Sequence, residues 1–220
     1  MSCSDGLIYL KEKPYMNIID YILLALLLAM VIVGSKKGLI RELSAFFTLI
    51  PAVIVSIQFM DTFTVMMYER IGGSPLVVAF VSFILLLGLA YAAFKLIGMG
   101  IVRIIKLQRK GRKDQMGGAF LGFARGWILM SFVFFLLFLL PMPAKFYTAM
   151  EASLFGPTLI KTVPVLFESS RVFHPHDPSF YTKVESALKL EKSQRQVPVA
   201  DRNDVDLVLY QINRFFDIGI

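Results

Sequence analysis

Hydrophobic positions in this chain fall into four long runs that short charged connectors separate. The runs cover about residues 18–33, 39–60, 75–102 and 117–140. A helix that crosses a bilayer needs about 20 predominantly apolar residues. We therefore predict an all-α, polytopic integral membrane protein with about four transmembrane helices, in which residues 16–143 form the membrane domain. Because the first run is short, the first two spans either cross fully or form a re-entrant hairpin.

The segments outside these runs are more polar. We interpret residues 1–15 as a polar leader, with Met16 as an alternative start of translation. Residues 144–220 form a C-terminal tail, in which apolar residues at helical spacing predict short helices near residues 180–190 and 203–216. We expect the second helix to lie on the membrane or on a partner; the alternative is a loosely ordered tail.

Charged residues are scarce and unevenly placed. Of the 220 residues, 56% are hydrophobic and 18% are charged, and the formal net charge is +7. The tail from Ala144 onward has nine basic and nine acidic residues, so the whole basic excess precedes it. Basic residues next to apolar spans indicate which side of the membrane a connector occupies, and they contact anionic lipid headgroups there. We therefore predict the lipid bilayer as a partner and no binding of nucleic acid.

Two connectors contain most of this basic excess, and alternation of the spans puts both at the same face of the membrane. By the positive-inside rule, both connectors should be cytoplasmic, with both chain termini on the far face. The residues expected to set topology and to contact lipid headgroups are Lys36, Lys37, Arg41, Arg103, Lys106, Arg109, Lys110, Arg112 and Lys113.

Glycines recur at steps of four near the cytoplasmic ends of the spans. Small residues at this step let two helix backbones approach closely. We predict a tight helix seam, either within one chain or between the chains of a homo-oligomer. The first pair of glycines is equally compatible with a turn between the first two spans. The two series are Gly34 with Gly38, and Gly118 with Gly122 and Gly126.

Four ionisable residues lie within the predicted spans or where a span begins. Arg125 lies about 12 Å along the fourth span, where a charge costs a few kcal/mol unless it faces the protein interior or a wet cavity. Glu42 enters the membrane from the same face and is within reach, whereas Asp20 enters from the opposite face. The Glu42–Arg125 pair is either a structural clamp or a transport site. Asp114 is expected to cap the fourth helix.

Residues that support catalysis or metal binding are sparse. The chain has one cysteine, Cys3, and its two histidines flank Pro175 without a cysteine or a carboxylate cluster beside them. Neither a Gly-x-Ser-x-Gly elbow nor a phosphate-binding Gly-x-x-x-x-Gly-Lys loop occurs. We therefore predict no catalytic residues, no metal and no cofactor.

Three groups of residues occur in a fixed order around the first, second and fourth spans. They are Met16, Asn17 and Asp20; Gly34, Lys37, Gly38, Arg41 and Glu42; and Asp114, Gly117, Gly118, Gly122, Arg125 and Gly126. Over about residues 16–164, this order resembles the colicin V production protein family of bacterial inner-membrane proteins.

The resemblance implies a multi-pass inner-membrane protein that supports toxin production or export, and some members of the family have been linked to envelope stress resistance. We therefore predict a non-enzymatic factor with envelope or secretion partners. The rival prediction is an oligomeric channel or transporter for ions or small solutes.

Overall fold

Ten helices follow one another in the part of the chain that this computed structural model describes, which is residues 16–104, 111–172, 178–193 and 197–216. None of these residues lies in a β-strand. The helices are α1 (Ile18–Lys37), α2 (Leu39–Gln58), α3 (Met60–Ile71), α4 (Pro75–Ile104), α5 (Arg112–Phe138), α6 (Ala144–Ala152), α7 (Gly156–Ile160), α8 (Thr162–Ser170), α9 (Phe180–Leu188) and α10 (Val199–Phe216).

Four of the described helices have the length and apolar composition that a membrane span requires. They are α1, α2, α5 and the Pro75–Gly98 part of α4. Their outward side chains are largely aliphatic, as lipid contact requires, and many of those on α1 are exposed. The protein is therefore an all-helical, multi-pass membrane protein, as the sequence predicts.

The observed helix bounds differ from the predicted runs. Helix α2, which corresponds to the second apolar run, ends at Gln58. Helix α3 then occupies most of the stretch between the second and third runs, where the sequence predicts a connector. Polar residues such as Asp61 and Glu69 lower the mean hydropathy of α3, so the sequence gives no apolar run there. The buried side of α3 nevertheless follows helical spacing, with Met60, Thr64 and Tyr68 four residues apart. The first span extends to Lys37, and the fourth begins at residue 112 rather than near residue 117.

The spans pack as a bundle in which α1 lies against α5, and α2 lies against both α4 and α5. Gly34 of α1 faces Gly118 and Gly122 of α5, whereas Leu27 faces Gly126. The register therefore runs in opposite directions, and α1 and α5 are antiparallel. We call the end of the bundle that holds the α1–α2 turn and the start of α5 the basic end, and the other end the far end.

The tail forms part of the core. Helices α9 and α10 lie where the sequence predicts short helices. The apolar face of α10, which the sequence assigns to the membrane or a partner, is instead buried in the main hydrophobic core. Val205, Leu209, Ile212 and Phe216 are all at most 4% exposed, and the Phe216 ring lies 5.2 Å from that of Phe138 in α5. Amphipathic spacing identified the buried face correctly but did not identify what covers it.

Candidate functional site

Helices α1 and α5 meet along their glycines. A Cβ atom at Gly122 would lie 2.6 Å from the carbonyl oxygen of Met30 and 3.0 Å from Cα of Gly34. A Cβ at Gly118 or at Gly34 would overlap the carbonyl oxygen of the other residue, and one at Gly126 would lie 2.9 Å from Cβ of Met30. The two backbones are therefore in direct contact along this seam, and both belong to the same chain.

The turn between α1 and α2 is joined to the start of α5. Gly38 has φ +85°, a conformation that glycine adopts without strain, and a Cβ there would overlap the carboxylate of Asp114. Asp114 Oδ1 accepts a hydrogen bond from the Leu39 N–H at 3.0 Å. Asp114 therefore caps α2, whereas the sequence predicts that it caps α5. The N-cap residue of α5 is Gly111, and no described side chain caps this helix. The correction arises because a carboxylate in the first turn of α5 reaches the free N–H groups of a neighbouring helix.

Two intramembrane charges meet between α2 and α5. Arg125 Nη1 lies 2.9 Å from Glu42 Oε2, and Lys37 Nζ lies 3.6 Å from Glu42 Oε1. The Glu42 side chain is fully buried, that of Arg125 is 11% exposed and that of Lys37 is 47% exposed. Removing one partner from a buried ion pair typically costs about 3–5 kcal/mol. The three side chains therefore tie α1, α2 and α5 together near the basic end.

Hydrogen bonding within this ion pair is incomplete. Among the described residues, neither Glu42 oxygen accepts a well-aligned hydrogen bond, and Arg125 Nε donates none. A buried polar atom without a partner costs about 1–3 kcal/mol, so these atoms retain the capacity to bind water or a small ligand.

Asp20 lies at the far end, apart from Glu42 and Arg125. Its carboxylate accepts hydrogen bonds from Ser153 Oγ at 2.6 Å and from the N–H groups of Leu154 and Phe155, each at 3.1 Å. It also accepts from the N–H of Asn17 at 3.0 Å, within a capping box at the start of α1. Asp20 therefore fastens the turn before α7 to the first span through charge-assisted hydrogen bonds.

A second acidic anchor, Asp61 in α3, holds the other part of the tail. Lys192 Nζ donates to Asp61 Oδ2 at 2.6 Å, and Lys183 Nζ lies 3.6 Å from the same oxygen and donates to the carbonyl of Gln58. Burial alone would raise the pKa of Asp61, but the Lys192 hydrogen bond, the Thr62 N–H and Lys183 together hold that pKa below its usual 3.8.

Sequence reasoning missed both tail anchors. The tail residues that bind Asp20 and Asp61 lie more than 120 residues away along the chain, so no local spacing connects them. The only available signal was that each acidic residue is placed where an apolar span begins or ends.

Exposed basic side chains gather at the basic end because the Leu39–Asp114 contact brings two connectors together. The acidic groups beside them, Glu42 and Asp114, already have partners. The exposed basic residues are Lys36, Lys37, Arg41, Arg112 and Lys113.

Some residues singled out by sequence lie outside the described side chains. They are Arg103, Lys106, Arg109 and Lys110 in the second basic connector, His174 and His176 in the tail, and the whole of residues 1–15. Among the described residues, no group of three or more His, Cys, Asp or Glu side chains is placed to hold a metal ion.

Comparison with known proteins gives one family. A family model described as Colicin V production protein matches residues 19–164, which is more than half of the 220-residue chain. A search of curated proteins and of solved structures finds no match. The matched residues include the glycine seam, both members of the Glu42–Arg125 pair and Asp20.

Proposed function

Because the chain belongs to the Colicin V production protein family, we propose that it is a multi-pass protein of the bacterial inner membrane that supports toxin production or secretion and envelope homeostasis without catalysis. The observation that carries this proposal is how the spans use their buried charges. Asp20, Glu42 and Arg125 each bind groups of the same chain and join separate helices. Charges used in this way build a stable bundle on which partner proteins can dock.

The proposed orientation places the basic end in the cytoplasm and both chain termini on the far face. The exposed cations at the basic end support it, since basic residues are retained on the cytoplasmic side and contact anionic headgroups there. Reporter fusions at Gly73, at Arg109 and after Ile220 test the orientation. A cytoplasmic signal at Gly73 contradicts it.

Homo-oligomers and envelope or secretion partners remain part of the proposal, with one restriction from the packing. The glycine faces of α1 and α5 are occupied by each other, so contacts between copies use other surfaces. Disulfide cross-linking between Leu39→Cys and Gly117→Cys, beside the seam, should occur within one chain, because the nearest atoms to a Cβ at Gly117 belong to the end of the Leu39 side chain, which the first substitution removes. Dimers linked between these two positions would contradict the restriction.

The toxin role is tested in a host that lacks its own copy of the gene and carries a colicin V plasmid. We expect less toxin in the medium, greater sensitivity to detergent, and recovery of both on complementation with the intact chain. Normal release together with unchanged detergent resistance would refute the proposal. Arg70→Gln, at an exposed arginine of α3, is the matched control that should complement fully.

A second candidate function is an oligomeric channel or transporter for ions or small solutes. The observation that favours it is the spare hydrogen-bonding capacity of Glu42 and Arg125 inside the membrane. Intramembrane ionisable groups with such capacity often mark a transport path.

Two single variants and their combination separate these functions. A clamp predicts that Glu42→Gln or Arg125→Gln alone lowers the abundance of the protein, and that the double variant is less harmful because no buried charge is left unpaired. A transport site predicts normal abundance of all three variants, with flux lost in reconstituted vesicles. Flux in wild-type vesicles that disappears in stable variants would replace the first function by the second.

A further inference from the structure

Helices α7 and α8 lie against α5 at the depth of the lipid tails. Trp127 Nε1 donates to Thr162 Oγ1 at 2.9 Å, and the Val163 N–H donates to Ser131 Oγ at 3.1 Å. Counted from residue 117, where the fourth apolar run begins, Trp127 and Ser131 lie about 15 and 21 Å along the span. Since the hydrocarbon core of a bilayer is about 30 Å thick, the junction of α7 and α8 lies inside it, about 9 Å or more from the far boundary.

Lys161 is the residue at this junction. It joins α7 to α8 with helical backbone angles, φ −70° and ψ −10°. Its side chain is exposed, as are those of Thr158 and Val165, which lie three residues before it and four residues after it. Residues at these spacings share one face of a helix, and the opposite face, with Leu159 and Val163, is buried. Lys161 therefore faces away from the bundle, toward lipid.

The charge of Lys161 is not neutralised within the described part of the chain. It forms no ion pair with a described carboxylate, whereas Lys183 and Lys192, also in the tail, both pair with Asp61. A charge inside the hydrocarbon core is costly, and such residues almost always face a bundle interior or pair with another group. The short stem of a lysine does not carry the ammonium from this depth to the headgroups.

A groove of about 550 Å³ opens beside Lys161 on the same surface. Its lining combines apolar side chains with the cation and two hydroxyl groups. The hydroxyl of Thr162 is already bonded to Trp127 and to the carbonyl of Thr158, so this wall is fixed against α5 and Lys161 is the polar group that remains free. The lining residues are Pro157, Thr158, Lys161, Thr162, Val165 and Leu166.

We propose that this groove docks a transmembrane helix of a partner protein through a carboxyl group near the middle of that helix. Lys161 binds the carboxyl group, and Val165 and Leu166 pack against the apolar side chains beside it. Small side chains such as that of Thr158 let the partner backbone approach closely. This inference names the kind of partner for the function proposed above, and in that respect rests on it.

The partner is a different protein rather than a second copy, because the described acidic residues of the spans are already bound. Asp20 accepts hydrogen bonds from the turn before α7, and Glu42 pairs with Arg125. Asp114 accepts the Leu39 N–H at the basic end. None of these carboxylates is free to leave its own bundle for the Lys161 of a neighbour.

A synthetic helix of defined sequence tests the proposal. The full chain is reconstituted in phosphatidylcholine vesicles with an apolar peptide of about 22 residues that lacks tryptophan, carries a dansyl group and has one glutamate at its middle. Matched peptides have glutamine at the middle, or glutamate next to one end. Energy transfer to the dansyl group from Trp127, the single tryptophan of the chain and a neighbour of the groove through Thr162, measures binding.

We expect the peptide with central glutamate to bind about 5- to 30-fold more tightly than the peptide with central glutamine, the range that a hydrogen bond between model membrane helices supplies. Lys161→Gln should abolish this preference, and Lys161→Arg should keep it. Lys145→Gln should also keep it, because the exposed Lys145 does not line the groove.

Three results would overturn the proposal. The first is equal binding of the two central peptides by the wild type, or a preference that survives Lys161→Gln. The second is tighter binding of the peptide with glutamate near its end, which would place the ammonium at the headgroups. The third is a dimer of the chain that forms without peptide and is lost in Lys161→Gln, which would make a second copy the occupant. Toxin release enters none of these measurements, so a failure here is distinguished from a failure of the proposed function.

Discussion

An alanine at Gly122 tests whether the contact between α1 and α5 stabilises the bundle. The added methyl group would lie 2.6 Å from the Met30 carbonyl oxygen and 3.0 Å from Cα of Gly34, and both are backbone atoms. A flexible side chain can move aside, but backbone atoms within two packed helices can move only if the helices separate. We therefore expect Gly122→Ala to widen the seam and destabilise the protein.

The magnitude follows from a matched control. Gly88 lies within span α4, and apart from its own helix backbone no atom of the described residues would lie within 4 Å of a methyl group added there, so Gly88→Ala places the methyl in open space. Both substitutions gain the same helix propensity, about 1 kcal/mol in water. Their difference isolates the steric overlap, which typically costs about 1–3 kcal/mol. This difference corresponds to about a 5- to 150-fold change in the ratio of folded to unfolded protein.

The assay is unfolding of the purified protein in detergent micelles by titration with SDS, followed by Trp127 fluorescence. Gly122→Ala should shift the midpoint to lower SDS relative to Gly88→Ala. Coincident midpoints of the two variants would refute the reasoning, because they would show that the seam accommodates a methyl group as easily as open space does.

Three further predictions concern the caps and the tail. Asp114→Ala should cost about 1 kcal/mol in the same titration because the Leu39 N–H loses its acceptor; an unchanged midpoint contradicts this role. The stability that Asp61 contributes is present above its ordinary pKa and is lost as the pH falls through its lowered pKa. Pepsin should therefore cleave the tail faster below pH 3.8. In Asp61→Asn, this acceleration of cleavage below pH 3.8 should be absent. A chain that ends at residue 164, the limit of the family match, should not elute as a monodisperse species in size-exclusion chromatography; a sharp monomer peak would contradict a tail-dependent core.

The spans and one of the polar contacts follow from local properties of the sequence. Apolar runs of about 20 residues have few alternatives to a membrane helix. Glu42 and Arg125 enter from the same face and have long side chains, which predicts their approach, and the structure places them 2.9 Å apart. The depth of a residue in the membrane and the length of its side chain can both be estimated by counting along the sequence.

The remaining contacts depend on three-dimensional packing. The partner of Asp114 is the N–H of a helix 75 residues earlier, and no spacing rule connects them. Helix α3 was missed because Asp61 and Glu69 dilute its hydropathy, although its buried side recurs at helical spacing. The spacing of α10 identified a buried face, but the same pattern fits a membrane, a partner or the protein's own core.

The position of α10 has a consequence for the order of biosynthesis. Phe215 and Phe216 fill the space around Phe138 at the end of α5, yet a ribosome completes α10 only after the four spans have been made. During translation, the aromatic pocket at the end of the bundle opposite the basic connectors is therefore open while the spans enter the bilayer. Assembly finishes when the late-synthesised segment arrives at that end, so the protein passes through a stage in which its membrane helices are inserted and its core is incomplete.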